Sequence, residues 1–163
     1  IHVNDSAIIA RMSQMTQKTN QFNLTTKRYT EAEISNFVAD NEVDVIAVGV
    51  KDKYGNSGIT ALAIVELMGD GAQLDTLLMS CRILGRNIEF VFFDQLVNRL
   101  LNQGVSSLAA RFDQTLKNAQ VSDLYDRLGL TLDKQDGHSK CYHLQLSEYQ
   151  SSNTDTIQIT YAQ

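Results

Sequence analysis

An α+β domain built on a mainly antiparallel sheet with helices inserted between its strands is the fold class the sequence predicts, and three observations predict it. From Val43 onward three β-prone runs follow one another, separated by turn clusters at Tyr54-Gly55-Asn56-Ser57-Gly58 and Gly69-Asp70-Gly71, the pattern of an antiparallel meander. A long segment with a 3.6-residue apolar period comes next. Two β-prone runs joined across Asp136-Gly137 then close the chain as a hairpin.

In chain order, Ile1–Val3 is a short β-prone start, and Asn4-Asp5-Ser6 can cap a helix from about Ala7 by accepting from its free N–H groups. Ile8, Met12 and Met15 recur there at helical spacing; the apolar signal stops in the polar stretch Thr16–Thr26. Thr30-Glu31-Ala32-Glu33 is a capping box ahead of Ile34, Phe37 and Val38, one apolar helical face. Strands are expected at Val43–Val50, Ile59–Leu67 and Ala72–Ser80. Cys81–Asn87 opens the long helix, whose stripe Ile88, Val91, Phe92, Leu96 and Leu100 is widened by Phe93, Val97 and Leu101, so a broad face is buried until Gln103-Gly104 ends it. Ser106–Phe112 reads as a strand, Asn118–Leu128 as a helix closed by Gly129, and Thr131–Lys134 with Lys140–Leu146 as the hairpin. The globular unit is placed at residues 1–147. In the tail, 148–163, the alternation Thr156–Tyr161 reads as an added edge strand or a mobile end.

With 163 residues, 43% of them hydrophobic, one domain can bury a core without disulfides or metals. No apolar run approaches the ~20 residues of a membrane span. A net charge of -5 argues against general affinity for nucleic acid or anionic lipid, which needs a cationic face. Cys81 and Cys141 lack metal-ligand spacing, and His2, His138 and His143 share no motif, so no metal site is expected. Reduced thiols in the cytoplasm are the expectation. The start at Ile1, without Met or a signal-peptide pattern, reads as a piece cut from a longer protein.

The order β-α-α-β-β-β-α-β-α-β-β is similar to that of the GNAT acyltransferase superfamily, which implies an acyl-CoA held where the fourth and fifth strands splay apart. Arg82-Ile83-Leu84-Gly85-Arg86-Asn87 resembles the GNAT pyrophosphate loop R/Q-x-x-G-x-G/A, with Asn87 where the family has Gly or Ala. Glycine lets the backbone approach phosphates, and a following helix N-terminus supplies free N–H groups. Met79, Ser80, Arg82, Gly85, Arg86, Asn87, Lys117 and Asn118 are the candidate cofactor-binding residues, for CoA, acyl-CoA or 4'-phosphopantetheine. Asn118-Ala119 and Tyr125–Leu130 resemble the GNAT helix whose tyrosine protonates a departing thiolate, which casts Tyr125 as general acid; the alternative is a core tyrosine on an amphipathic helix. Cys81 beside Arg82 is a candidate nucleophile or a small hydrophobe at a strand end.

A longer resemblance covers the chain to about Leu146. Gln14–Ile34, Leu78–Arg86 and Thr115–Asn118 resemble the signature of FkbH-type proteins. This implies the C-terminal GNAT-like domain of a chain whose haloacid-dehalogenase-like N-terminal domain loads glyceryl on an acyl carrier protein, toward polyketide units. No Asp-x-Asp phosphatase motif stands near the start, so that phosphate chemistry is not expected here. Gln17, Lys18, Asn20, Gln21, Asn23, Lys27 and Arg28, in a run too polar for core, are assigned to the acceptor or carrier side of the groove. Lys18, Lys27 and Arg28 would steer an acidic carrier. Two functions remain open. One is an acyltransferase that polarises a thioester with strand N–H groups near Met79 and Ser80. The other is a module that grips the carrier's pantetheine arm, toward which Asn87 and the want of a convincing base, with Glu66 and Asp75 only weak candidates, point.

Overall fold

The computed structural model describes residues 1–152 and 157–162. Its elements are β1 (His2–Val3), α1 (Ile9–Lys18), α2 (Glu31–Ala39), β2 (Val43–Asp52), β3 (Gly55–Met68), β4 (Gly71–Met79), α3 (Ile88–Asn102), β5 (Ser107–Asp113), α4 (Leu124–Arg127), β6 (Thr131–Asp136) and β7 (Ser139–Gln145). The strands form one sheet in the order β1-β2-β3-β4-β5-β7-β6. Only β4 and β5 pair in parallel, because α3 carries the chain back across the sheet between them; every other neighbour is antiparallel.

Local chemistry sets most boundaries. Asp5 caps a 3-10 turn, Ser6–Ile8, through Ala7 N–H, and α1 starts one residue later. The Thr30/Glu33 capping box is formed in both directions. The β2–β3 turn is tighter than expected, at Lys53-Tyr54, because Asp52 Oδ1 accepts from the N–H groups of Tyr54 and Gly55 and lets β3 begin at Gly55. The helix expected over Asn118–Leu128 is instead a 3-10 turn, Ala119–Val121, followed by the single turn α4. Asn118 cannot cap a regular helix there, since its side chain is committed to Thr115, Asp113 and Asn23. Of the expected tail strand, Thr156 lies outside the described residues, and Ile157–Ala162 form no strand; Ala162 N–H and Thr160 O bond Ile1 instead.

The sheet has a core on each face, as the alternation of β3 dictates. Ala61, Ala63 and Val65 face α3, with Phe92, Leu96 and Leu100; Leu62 and Ile64 face α1 and α2, with Met12, Met15 and Ile34. Asp44 of β2, 4% exposed at its side chain, accepts from Arg99 Nε and Nη2 of α3 at 2.8 Å each and from Gln103 at 2.9 Å. Burial alone would raise this carboxyl, but these donors and the Arg99 charge outweigh it and hold its pKa below the ordinary value. No helix among the described residues is long and apolar enough to cross a membrane.

Candidate functional site

The site begins with one extra residue in β4. Ile64 of β3 pairs with Thr76 and Val65 with Leu74, which leaves Asp75 as a bulge. A bulge bends and twists its strand, and the parallel pairing of β4 with β5 stops at the neighbouring pair Leu74–Ala110. Beyond it the two strands diverge.

The chain fills the resulting gap with itself. Phe22–Thr25 lies antiparallel to β4, with Asn23 opposite Leu78. Leu24 N–H donates to Leu77 O at 3.1 Å, Met79 N–H to Phe22 O at 2.9 Å and, on the other side, Asp113 N–H of β5 to Leu24 O at 2.8 Å. Asn118 Nδ2 donates to Asn23 O and Asp113 O, both at 2.9 Å, and its Oδ1 accepts from Thr115 N–H at 2.7 Å. Thr25 Oγ1 donates to Asp75 O. Just downstream, Lys27 Nζ and the Tyr29 hydroxyl both bond the Asp75 carboxylate, which is 5% exposed. Burial, then the hydrogen bond to Asp75 and its charge, raise the Tyr29 pKa well above that of a free phenol.

The expectation that Gln17–Arg28 is too polar for core is therefore corrected at its centre. Phe22, Asn23 and Leu24 are at most 1% exposed, and Thr25 is buried as well. Asn23 and Thr25 are tolerated inside because each side chain finds backbone partners: Asn23 bonds Thr19 O and Thr26 N–H, and Thr25 bonds Asp75 O. The N–H groups expected near Met79 and Ser80 to polarise a thioester are already used, by Phe22 O and by Thr60 O.

At the mouth of the filled gap lies a cleft of 740 Å³. It is lined by Met79, Ser80, Cys81 and Arg82 from the end of β4, by Lys117 and Leu116, and by Arg11, Gln14, Lys18, Asn20, Gln21 and Phe22. Every charged side chain in that lining is a cation: Arg11, Lys18, Arg82 and Lys117. Arg11 is held by Ile59 O and Gln14, whereas Lys18, Arg82 and Lys117 have no carboxylate partner among the described residues. Cys81 is exposed, not a buried small hydrophobe.

The structure thus brings Met79, Ser80, Arg82 and Lys117 of the expected cofactor-binding group and the candidate nucleophile Cys81 together with Lys18, Asn20 and Gln21 of the expected acceptor group. Several candidates go elsewhere. Asn118 is fully buried with its side chain occupied. Asn23 is sealed in the gap. Gln17 bonds Tyr29 O, Lys27 reaches across to the Asp75 carboxylate of β4, and Arg28 donates to Thr16 O, Thr19 O and Asn20 Oδ1, so Lys27 and Arg28 are engaged within the protein and do not line the cleft. Arg86 turns to a second cleft of 610 Å³ beside Val48, Val91 and Phe92, where it pairs with Asp52 at 2.6 Å. Gly85 and Asn87 both adopt positive φ, +74° and +60°, so the loop has the left-handed geometry that glycine and asparagine tolerate. Tyr125 is 1% exposed, its hydroxyl has no hydrogen-bond partner among the described residues, and burial, followed by Tyr142, Asp75 and Asp113, pushes its pKa far up. Arg11 and Gln14 were legible only as the i−7 and i−4 neighbours of Lys18 on one helical face.

Similarity to solved structures agrees with this architecture. The ribosomal-protein-S18-alanine N-acetyltransferase of Escherichia coli superposes with a TM-score of 0.64 over 95% of this chain and 96% of its own, at 14% identity. A GNAT-family acetyltransferase structure from Desulfovibrio desulfuricans gives 0.61 over 87% and 92%, at 14% identity.

The chain has the GNAT fold.

The PaiA N-acetyltransferase of Thermoplasma acidophilum, in complex with coenzyme A, matches the same GNAT fold with a TM-score of 0.60 over 72% of each chain, at 12% identity. No protein-family model and no curated protein sequence matches the chain. The arm of an acyl-CoA does not fit the gap between β4 and β5 as it stands here, because Phe22–Thr25 takes the hydrogen-bonding positions on both strands.

Proposed function

We propose that this GNAT-fold domain is a docking module of FkbH-type proteins, one that binds the phosphopantetheine-bearing face of an acyl carrier protein and leaves transfer of glyceryl or a related acyl unit to the haloacid-dehalogenase-like domain. One observation carries the reading: in a chain of net charge -5, the cleft at the end of β4 has only cations among its charged lining residues. Lys18, Arg82 and Lys117 converge there on a volume that a phosphate group enters easily. A cationic site on an otherwise acidic domain orients an acidic carrier while the remaining surface repels misdocked approaches.

The alternative of an acyltransferase is favoured less. It needs an open slot, a free strand N–H and an accessible acid, whereas Met79 N–H is occupied by Phe22 and the Tyr125 hydroxyl is buried. The sequence resemblance over Gln14–Ile34 supports the FkbH-type assignment, and the fold supports a relation to CoA-binding proteins.

Isothermal titration with holo and apo carrier protein tests the proposal. The holo form should bind at least about tenfold more tightly, and Lys18→Glu with Arg82→Glu should remove the difference and flatten the salt dependence. Equal binding of holo and apo forms, or an unaltered affinity in the double variant, would refute it.

A further inference from the structure

The fold leaves a wedge between β4 and β5 from Asp75 onward, and the segment that fills it, joined to β4 by the isolated bridge Asn23–Leu78, is part of this chain. We propose that Phe22–Thr25 is a permanent resident segment that closes the wedge to a pantetheine arm, so that a phosphopantetheine ligand is held by its phosphate at the Arg82/Lys117 cleft with its thiol end left outside. The second half of this statement rests on the docking reading above; the closure does not.

The bonding argues for permanence. The segment is stitched on both edges, to Leu77 and Met79 on one side and to Asp113 and the Asn118 amide on the other. All four of its residues are buried: Phe22 and Leu24 enter the core on the α3 face, while Asn23 and Thr25 are satisfied by backbone groups. Withdrawing it would put two buried apolar side chains into water and strip partners from the Leu77 carbonyl and the Met79 and Asp113 N–H groups at once. Its C-terminal continuation is lashed to the bulge, through Lys27 and Tyr29 on Asp75, so the residue that opens the wedge also holds the segment that fills it.

The segment also decides what the cleft can take. Gln21 and Phe22 wall the cleft on the side where the wedge would have deepened it. A compact anion fits at the mouth, and a long arm finds no path inward. The Tyr125 hydroxyl, without a partner among the described residues and without solvent contact, has no route to a thiolate in this arrangement.

Amide hydrogen exchange and thiol accessibility on the wild-type protein, with and without saturating coenzyme A as the probe, test the inference. Exchange at Leu24, Met79 and Asp113 should be unchanged by the ligand within about a factor of two, and the thiol of bound coenzyme A should react with a maleimide about as fast as the free compound. Exchange at those amides accelerated about tenfold, or a bound thiol protected about tenfold, would overturn it and make the segment a displaceable plug. If coenzyme A fails to bind at all while the three amides stay protected at the level of the β2–β3 pair, the phosphate-holding reading fails and closure of the wedge stands. Exchange at Leu24 in the free protein as fast as in an exposed loop would refute the closure directly.

Discussion

Replacing Asn118 with alanine should be among the most damaging single polar deletions in the protein, although the residue has no exposed surface. The residue is fully buried and makes three hydrogen bonds, to Thr115 N–H, Asp113 O and Asn23 O. Each bond contributes a net of about 1 kcal/mol, and leaving two carbonyls and one N–H buried without partners adds desolvation, so the loss is about 4 kcal/mol. For a domain of this size that lowers Tm by roughly 8–16 °C. Urea unfolding measures it: the midpoint should fall with an unchanged slope, since the surface exposed on unfolding is the same. Exchange at Leu24 should rise more than exchange in the β2–β3 pair, because the segment loses its tie to β5. Asn118→Asp keeps the acceptor toward Thr115 but turns an oxygen onto two carbonyls, and should be at least as destabilising at neutral pH. A loss under about 1 kcal/mol, or unaltered exchange at Leu24, would refute the claim that Asn118 pins the resident segment.

Other consequences can be measured separately. Asp44→Asn should cost about 1–2 kcal/mol at pH 7, because Arg99 loses its charged partner while its side chain, 32% exposed, keeps access to water; because the folded carboxyl titrates below its unfolded value near 3.9, the wild-type advantage is present above that pH and vanishes as pH falls through the lower folded value, so the two denaturation curves should converge in acid. Tyr125→Phe should leave stability unchanged or raise it by about 1 kcal/mol, since it removes a buried hydroxyl that has no partner among the described residues; a loss above that in thermal melts would mean the hydroxyl is bonded. Gly85→Ala should cost roughly 1 kcal/mol from its positive φ with no steric clash, the Cβ meeting no atom within 4 Å. Arg82→Glu should weaken carrier binding in a salt-dependent way while Arg86→Glu, in the other cleft, should not; equal effects in titration would misplace the site.

The sequence by itself determined the elements whose signals are local. Capping at Thr30, the turns around Gly55 and Gly69, the β-branched runs of the meander and the wide stripe of α3 are each decided within a few residues, and they suffice for the order of elements and hence the fold class. The end of β4 was legible as a loop entering a helix for the same reason: Ser80–Asn87, with Gly85 and Asn87 near its end, is a pattern written in adjacent residues. What only the tertiary structure decided is which of the polar residues keep their chemistry for a ligand. Gln17–Arg28 reads as a solvated, cationic acceptor surface, because a sequence shows donors and charges without showing what they meet. In the folded chain Lys27 meets Asp75, 48 positions away, and Asn23 meets Asn118, 95 positions away. Burial of such groups is permitted only when partners satisfy them, and here some of those partners lie far along the chain and are met only once the strands diverge at the Asp75 bulge and leave a gap to fill.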